Sequence, residues 1–344
     1  MPNDILTRAI DEVCAGTHLT ADHTSAALAE IMEGRVSEVQ TAAFLVSLRA
    51  KGETVSELVG LARTMRQLAA HVEIDEPALL DTAGTGGGPT TFNISTSAAL
   101  IAAGAGCKVA KHGNRSATSK SGSADVLQAL GVDIELSPEE VATCIDEVGF
   151  GFMFAPKHHR AMAHVVPVRK ELAVRTVFNF LGPLTNPAGA NAHLLGVSDR
   201  SYQEIIADAL VQLGCDRALV VSADDGIDEL SLASRTRVIE VADGGTEEWY
   251  VEADELGLQP APLDAIPGGE PAENAAVVRS VLEGEAGPAR DVSVLNAGAA
   301  IYVAGGADNL SHGVAKAIDA IDSGAARDVL DRLVARSREL SSAS

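Results

Sequence analysis

Aromatic residues are scarce in this 344-residue chain, with one Trp, three Tyr and seven Phe making up 3% of the sequence. A core must therefore come from Ala, Val, Leu and Ile, and the 46% hydrophobic content supplies them. Cations are also few: 26 Lys and Arg stand against 48 Asp and Glu, a formal charge of −22. That balance argues against a general binder of nucleic acid or of an anionic membrane surface, because both require a positive face. It leaves room for a small anionic ligand wherever the few cations gather. No run approaches the roughly 18–20 apolar residues needed to span a bilayer. The opening MPNDILTRAIDEV has early acids and no long apolar stretch, so it reads as no signal peptide. Cysteine is rare as well. Cys14, Cys107, Cys144 and Cys215 lie far apart with no C-x-x-C pair, which reads as reduced thiols of a cytoplasmic protein.

At about 150 residues per domain the length favours two domains, and the chain has two textures. Residues 1–70 read as helices only. Ile5, Ala9, Ile10 and Val13 form one apolar face at helical spacing, and a second helix is predicted around 24–33. Ser37-x-x-Gln40 and Thr54-x-x-Glu57 have the form of capping boxes, the second opening a helix with Leu58, Val59, Ala62 and Leu68. From Ala78 onward, short apolar strands at 79–83, 107–112, 150–154, 193–197 and 218–222 alternate with helices near 95–104, 123–130, 138–148 and 202–213. Such alternation predicts an α/β fold: a small N-terminal all-helical domain, 1–70, and a larger domain, 71–344, with a mainly parallel sheet covered by helices. Residues 235–251 break the pattern and read as a hairpin around Asp243-Gly244-Gly245. A Pro- and Gly-rich loop follows at 257–271, then helices near 272–283, 311–322 and 325–340.

Four loops carry chemistry. The first, Asp81 to Thr96, runs DTAGTGGGPTTFNIST between a strand and a helix, where free amides and the helix dipole attract an anion. Pro89 stands where a dinucleotide fingerprint needs its third glycine, and no Gly-Lys-Ser/Thr follows. An ordinary glycine-rich turn remains the alternative. The second, KHGNRSATSKSGS at 111–123, belongs to a segment (105–130) with Lys108, Lys111, Arg115 and Lys120 against Asp125 alone. A net +3 segment rich in hydroxyls suits phosphate, although a solvated charge run would look similar. The third, 154–187, sets Lys157, Arg160, Arg169, Lys170 and Arg175 against Glu171. Its histidines, His158, His159 and His164, lack the spacing and interleaved acids of a zinc site. The fourth, Asp224-Asp225-Gly226-Ile227-Asp228-Glu229, follows a strand and suits Mg²⁺ shared between carboxylates and substrate phosphates, or is one more acidic loop in an acidic protein.

Together these loops describe a site for a magnesium-bound polyphosphate and a second, anionic substrate. GTGGG…NIST, KHGNR, VRKELAVRTVFNFLGPLTNP and DGIDE, in this order and over nearly the whole chain, resemble the anthranilate phosphoribosyltransferase family of tryptophan biosynthesis. The resemblance implies a fold related to nucleoside phosphorylases and phosphoribosyltransferases. It also implies transfer of a phosphoribosyl group from phosphoribosyl pyrophosphate to the amine of anthranilate, with Mg²⁺ and with release of pyrophosphate. It places phosphoribosyl pyrophosphate on Gly84, Gly87, Gly88, Thr91, Asn93, Ile94, Ser95 and Thr96. On the next loop it adds Lys111, His112, Gly113, Asn114, Arg115, Ser116, Ala117, Thr118, Ser119 and Ser123. Ser95, Asp228 and Glu229 match the family's metal positions. Gly84, Asn114 and Arg169 match its anthranilate contacts, with His112 and His159 nearby. Family members pair as homodimers through the helical domain, to which the segment around 170–185 returns. Two positions depart from the family pattern: Gly88, where Asp is commoner, and Arg160, where proline is frequent. A pyrimidine nucleoside phosphorylase would share the architecture without the KHGNR and NFLGPLTNP blocks. A nucleic-acid-binding paralogue would need the positive surface that −22 opposes.

Overall fold

A computed structural model describes residues 2–116 and 119–343. Four helices open the chain: α1 (Asp4–Cys14), α2 (Ala21–Met32), α3 (Glu38–Lys51) and α4 (Val55–Gln67). Their starts follow from side-chain caps. Thr54 and Glu57 form a complete capping box at α4. Ser37 supplies only half of one at α3, because Gln40 turns to Asn3, accepting its amide at 2.9 Å and donating to its carbonyl at 3.1 Å. This pair ties the chain's start to the third helix instead. On α1 the buried face is Leu6, Ala9 and Val13, whereas Ile5 is exposed.

The larger unit begins with β1 (Leu79–Gly84), α5 (Ile94–Gly104), β2 (Lys108–Gly113), α6 (Ser123–Leu130), α7 (Pro138–Val148) and β3 (Phe150–Phe154). A short helix α8 (Ala155–His158) leads into α9 (Val166–Leu172) and α10 (Phe178–Leu181), then β4 (Ala192–Gly196), α11 (Gln203–Gln212) and β5 (Arg217–Ala223). The hairpin is β6 (Thr236–Ala242) and β7 (Gly245–Val251), turning through Asp243 and Gly244, both left-handed. Four helices close the chain: α12 (Pro271–Leu282), α13 (Pro288–Val303), α14 (Leu310–Asp322) and α15 (Ala325–Ala343). Sequence patterning does not reveal α13. Its residues from Val292 to Ile301 are buried all round, so it has no polar stripe and no helical period to detect.

The sheet order is β3-β2-β1-β4-β5-β6-β7, parallel from β3 to β5 and antiparallel beyond. The chain leaves β1 toward β2 on one side and later returns to β4 on the other. This makes the carboxyl ends of β1 and β4 a switch point, where loops diverge and a crevice opens. Alternate residues of β5 face opposite layers: Leu219 and Val221 join the core with α5 and α12–α15, and Ala218 and Val220 join the core of the N-terminal helices. That second core also takes in Val165, Val177, Phe178, Phe180, Leu181 and Leu184. The helical bundle is thus completed by a segment from the middle of the chain.

Candidate active site

At the switch point the loop after β1 is pinned from several sides. Gly86 and Gly87 have φ of 66° and 86°, a left-handed turn open to glycine with little strain. The Gly86 amide donates to Asp228 Oδ2 at 2.7 Å, and the Ser198 hydroxyl donates to the Gly86 carbonyl at 2.7 Å. A Cβ on Gly84 would stand 2.2 Å from Asp228 Oδ2, so only glycine permits this approach. Gly88 sits against the Gly226 carbonyl, where an added Cβ would come within 2.3 Å. Packing of the first loop on the fourth thus gives a local reason for the departure at position 88.

Beneath this turn lies a compact charged cluster. Lys111, buried on β2, donates to the Thr82 carbonyl, to Thr82 Oγ1 at 3.1 Å and to Ser95 Oγ at 3.3 Å. Burial, followed by the neighbouring Asp228, holds the Glu229 carboxyl well above the usual carboxylate range, with Lys111 pulling the other way. The residue keeps part of its surface open. Asp228 and Glu229 place two carboxyl groups side by side; burial and repulsion keep Glu229 from ionising unless a further cation offsets them, and the Ser95 amide and hydroxyl stand beside the pair. This donor set of hard oxygens fits Mg²⁺. Asp224 and Asp225 do not join the cluster. Asp224 pairs with Arg200 at 2.7 Å and Arg235 at 3.6 Å, and Asp225 accepts from the Ser231 hydroxyl.

The loop after β2 lies beside the first, since β1 and β2 are parallel neighbours. Asn93 ties them: its amide donates to the Ser121 carbonyl at 3.1 Å and its Oδ1 accepts from Ser121 and from Asn274 of α12. In this structure Asn93 serves the loops more than open space. Thr91 bridges to Pro267, the Ile94 side chain is core, and the Thr96 hydroxyl is buried without a partner among the described residues. Gly113 ends β2, and Asn114 is exposed. The guanidinium of Arg115 pairs with Asp125 at 2.7 Å. The Ser116 and Ser119 hydroxyls are 2.6 Å apart, and Ser123 donates to the Asn114 carbonyl. Ala117 and Thr118 lie outside the described residues. Lys108 contributes nothing at this edge. It stands at the opposite end of β2 and caps α7 through the Ile145 and Asp146 carbonyls.

The third loop supplies an arginine and an enclosed imidazole pair. Arg169 on α9 lies over the Phe178 ring at 5.6 Å, half-buried, with no hydrogen-bond or ion-pair partner among the described residues. The His112 ring lies 5.0 Å from that of His159, and its Nδ1–H donates to the Gly182 carbonyl. Burial, reinforced by the neighbouring histidines, lowers His112 to about 3 and His159 to about 4, so both are neutral near pH 7. Asn186 braces the floor, donating to Asp81 Oδ2 at 2.7 Å and to the Ala110 carbonyl at 2.9 Å. Sequence reasoning gives no role to Asn186, Ser198, Asn274 or Arg175, whose guanidinium reaches the Gly86 carbonyl. Arg175 is visible there only as one of several cations. The others are common polar residues whose use depends on tertiary placement.

A helical bundle beside a parallel α/β unit, with a glycine turn and paired carboxylates at the switch point, matches two family models. "Glycosyl transferase family, helical bundle domain" covers residues 7–69, and "Glycosyl transferase family, a/b domain" covers residues 76–327. The class is therefore that of two-domain glycosyl transferases. A curated anthranilate phosphoribosyltransferase of Rubrobacter xylanophilus is 52% identical over 98% of this chain and 98% of its own. The crystal structure of anthranilate phosphoribosyltransferase from Thermus thermophilus superposes with a TM-score of 0.91 at 48% identity, covering 96% of this chain and 99% of that one. The Saccharomyces cerevisiae enzyme, solved in complex with PRPP and Mg, gives 0.89 at 28% identity over 97% and 98%. The chain belongs to the anthranilate phosphoribosyltransferase family.

Proposed function

We propose that this protein transfers the phosphoribosyl group of phosphoribosyl pyrophosphate to the amine of anthranilate, giving N-(5-phosphoribosyl)anthranilate and pyrophosphate in tryptophan biosynthesis. The observation that carries the reading is the junction of the Gly86 amide with Asp228, where glycine turn and carboxylate pair meet. The turn and the N-terminus of α5 receive the diphosphate. Ser95, Asp228 and Glu229 would hold Mg²⁺, which supplies charge neutralisation to the departing pyrophosphate. Arg169, cationic and without an ion-pair partner among the described residues, binds the anthranilate carboxylate, while neutral His112 and His159 offer the aromatic ring an uncharged wall. Asn114 and Gly84 lie at the ends of β2 and β1, between the two substrates in this arrangement.

Positioning and electrostatics then provide the catalysis. The bond from ribose C1 to the pyrophosphate oxygen breaks, its electron pair leaving with pyrophosphate, as the neutral amine supplies its own pair to C1, and the resulting ammonium then gives its proton to solvent water. No side chain is assigned as general base. We also propose a homodimer through the helical bundle. Large apolar side chains are exposed on α1 (Ile5), α3 (Val39, 79%, and Val46) and the returning segment (Val166 and Val174), whereas the rest of the described residues expose only Tyr250 in this way. A cytoplasmic location agrees with four free cysteines, Cys14 among them exposed. Among the described residues no helix is long and apolar enough to cross a membrane.

Loss of anthranilate fluorescence with phosphoribosyl pyrophosphate and Mg²⁺ tests the reaction directly. Turnover that needs all three components is expected. A folded protein without it would overturn the assignment.

A further inference from the structure

Cations near the carboxyl edge of the sheet are mostly spoken for: Arg115 by Asp125, and Arg200 and Arg235 by Asp224. Arg175 differs. It has no carboxylate partner among the described residues, and its guanidinium lies on the glycine turn. Nη2 donates to the Gly86 carbonyl at 3.2 Å, and a Cβ on Gly87 would come within 2.3 Å of Nη1. Behind it stands a stack. The guanidinium lies 5.6 Å over the Phe180 ring, Phe180 stacks on Tyr202 at 3.9 Å and 19°, and the Tyr202 hydroxyl donates to Glu53 Oε2 at 3.0 Å. The Arg175 carbonyl itself accepts from Arg49 of α3 at 2.8 Å. The glycine turn is thus connected to the helical bundle through one arginine.

We infer that Arg175 is a positioning residue for the diphosphate-binding turn, fixing the Gly86–Gly87 backbone and setting a positive charge beside the pyrophosphate of the substrate. The inference rests on the glycine turn being the phosphoribosyl pyrophosphate site. Its physical content is twofold. With Ser198, Arg175 occupies the Gly86 carbonyl, an oxygen that would otherwise repel an incoming phosphate. Its charge, left unneutralised, adds attraction in a protein whose net charge of −22 opposes a polyanion. Arg169 and Arg175 thus divide the third loop between the two substrates, each backed by a ring of α10, Phe178 and Phe180.

The test is binding of phosphoribosyl pyrophosphate with Mg²⁺ by calorimetry, without anthranilate, together with kinetics in which each substrate is varied separately. Arg175→Ala should weaken phosphoribosyl pyrophosphate about ten- to hundredfold, the range of a charge-assisted hydrogen bond. The anthranilate KM should stay within about threefold, a split that general loosening of the fold would not give. Phe180→Leu, which removes the backing ring, should produce a smaller loss for the same substrate. If Arg175→Ala fails to fold, Arg175→Gln keeps the stem and a donor without the charge and must show the same selective loss. Wild type that binds while a folded Arg175 variant binds equally well overturns the inference. Wild type that does not bind overturns the reading of the turn itself.

Discussion

Two glutamates, each near a lysine, have opposite surroundings. In the helical bundle Glu57 is fully enclosed and fully used: it accepts from Lys51 at 2.9 Å, from the Leu19 amide at 2.9 Å, and from the Thr54 amide and hydroxyl. At the carboxyl edge of the sheet, Glu229 lies beside a second carboxylate, Asp228, while Lys111 spends its donors on Thr82 and Ser95. The first arrangement is complete within the protein and belongs to the scaffold. The second sets two carboxyl groups side by side with too little positive charge nearby for both to ionise, a pair that a cation from outside the chain would complete. Satisfaction, more than burial, separates the structural carboxylate from the one proposed to hold a metal.

The contrast can be broken at either end. Glu57→Ala removes the counter-charge of Lys51, which keeps only the Gly52 carbonyl and His18, and leaves the Leu19 and Thr54 amides without their acceptor, so it should cost about 3–5 kcal/mol of stability by chemical denaturation while leaving both KM values unchanged. A cost below about 1 kcal/mol would show that the network is not holding the bundle. Asp228→Asn with Glu229→Gln should do the reverse. Removal of the mutually repelling carboxyl pair leaves stability equal or higher, and turnover falls by about a hundred- to thousandfold with loss of its Mg²⁺ response. An unchanged Mg²⁺ response in that variant removes the pair from the site.

Burial, helped by the nearby Arg66, lowers His193 to about 4. The unfolded chain takes up this proton near 6.5 and the folded chain only near 4, so stability from this group is present above 6.5 and is lost as pH falls toward 4. The loss is about 3 kcal/mol. Asp81, raised to about 6 by burial, acts with the opposite sign, so the variant rather than the total slope is diagnostic. His193→Gln should remove that much pH dependence from denaturation midpoints between pH 6.5 and 4, and an unaltered profile excludes His193 as its source. Arg169→Ala should have the smallest effect. It should raise the anthranilate KM about ten- to hundredfold and keep that of phosphoribosyl pyrophosphate within a few-fold, with partial recovery in Arg169→Lys. An unchanged anthranilate KM in the folded variant ends its assigned role.

Strands and caps are legible in the sequence because they depend on near neighbours. The runs at 79–83 and 150–154, the hairpin at Asp243-Gly244 and the box at Thr54–Glu57 all read correctly. The α13 helix does not, because a segment buried on every side has no contrast to reveal its period. Charge is the less reliable guide to the site. Lys108 belongs to the basic segment by composition yet caps a helix at the far end of its strand, and Asp224 neighbours Asp228 in sequence yet serves two arginines. Strand direction decides the first and a turn at Gly226 the second, and neither is a property of local composition. Conversely, Asn274 stands 181 positions from the Asn93 it braces, beyond the reach of any motif.

The bundle's dependence on a returning segment bears on how the protein is made. α4 packs on α2 and also on α10 and α11, whose apolar residues between 177 and 210 share its core. At about 5–20 residues per second, the roughly 140 residues between α4 and the end of α11 take on the order of ten seconds to synthesise. For that interval the part of the bundle core that residues 177–210 supply is missing. The N-terminal domain comes first along the chain, yet its core is complete only after about half of the larger unit has been made.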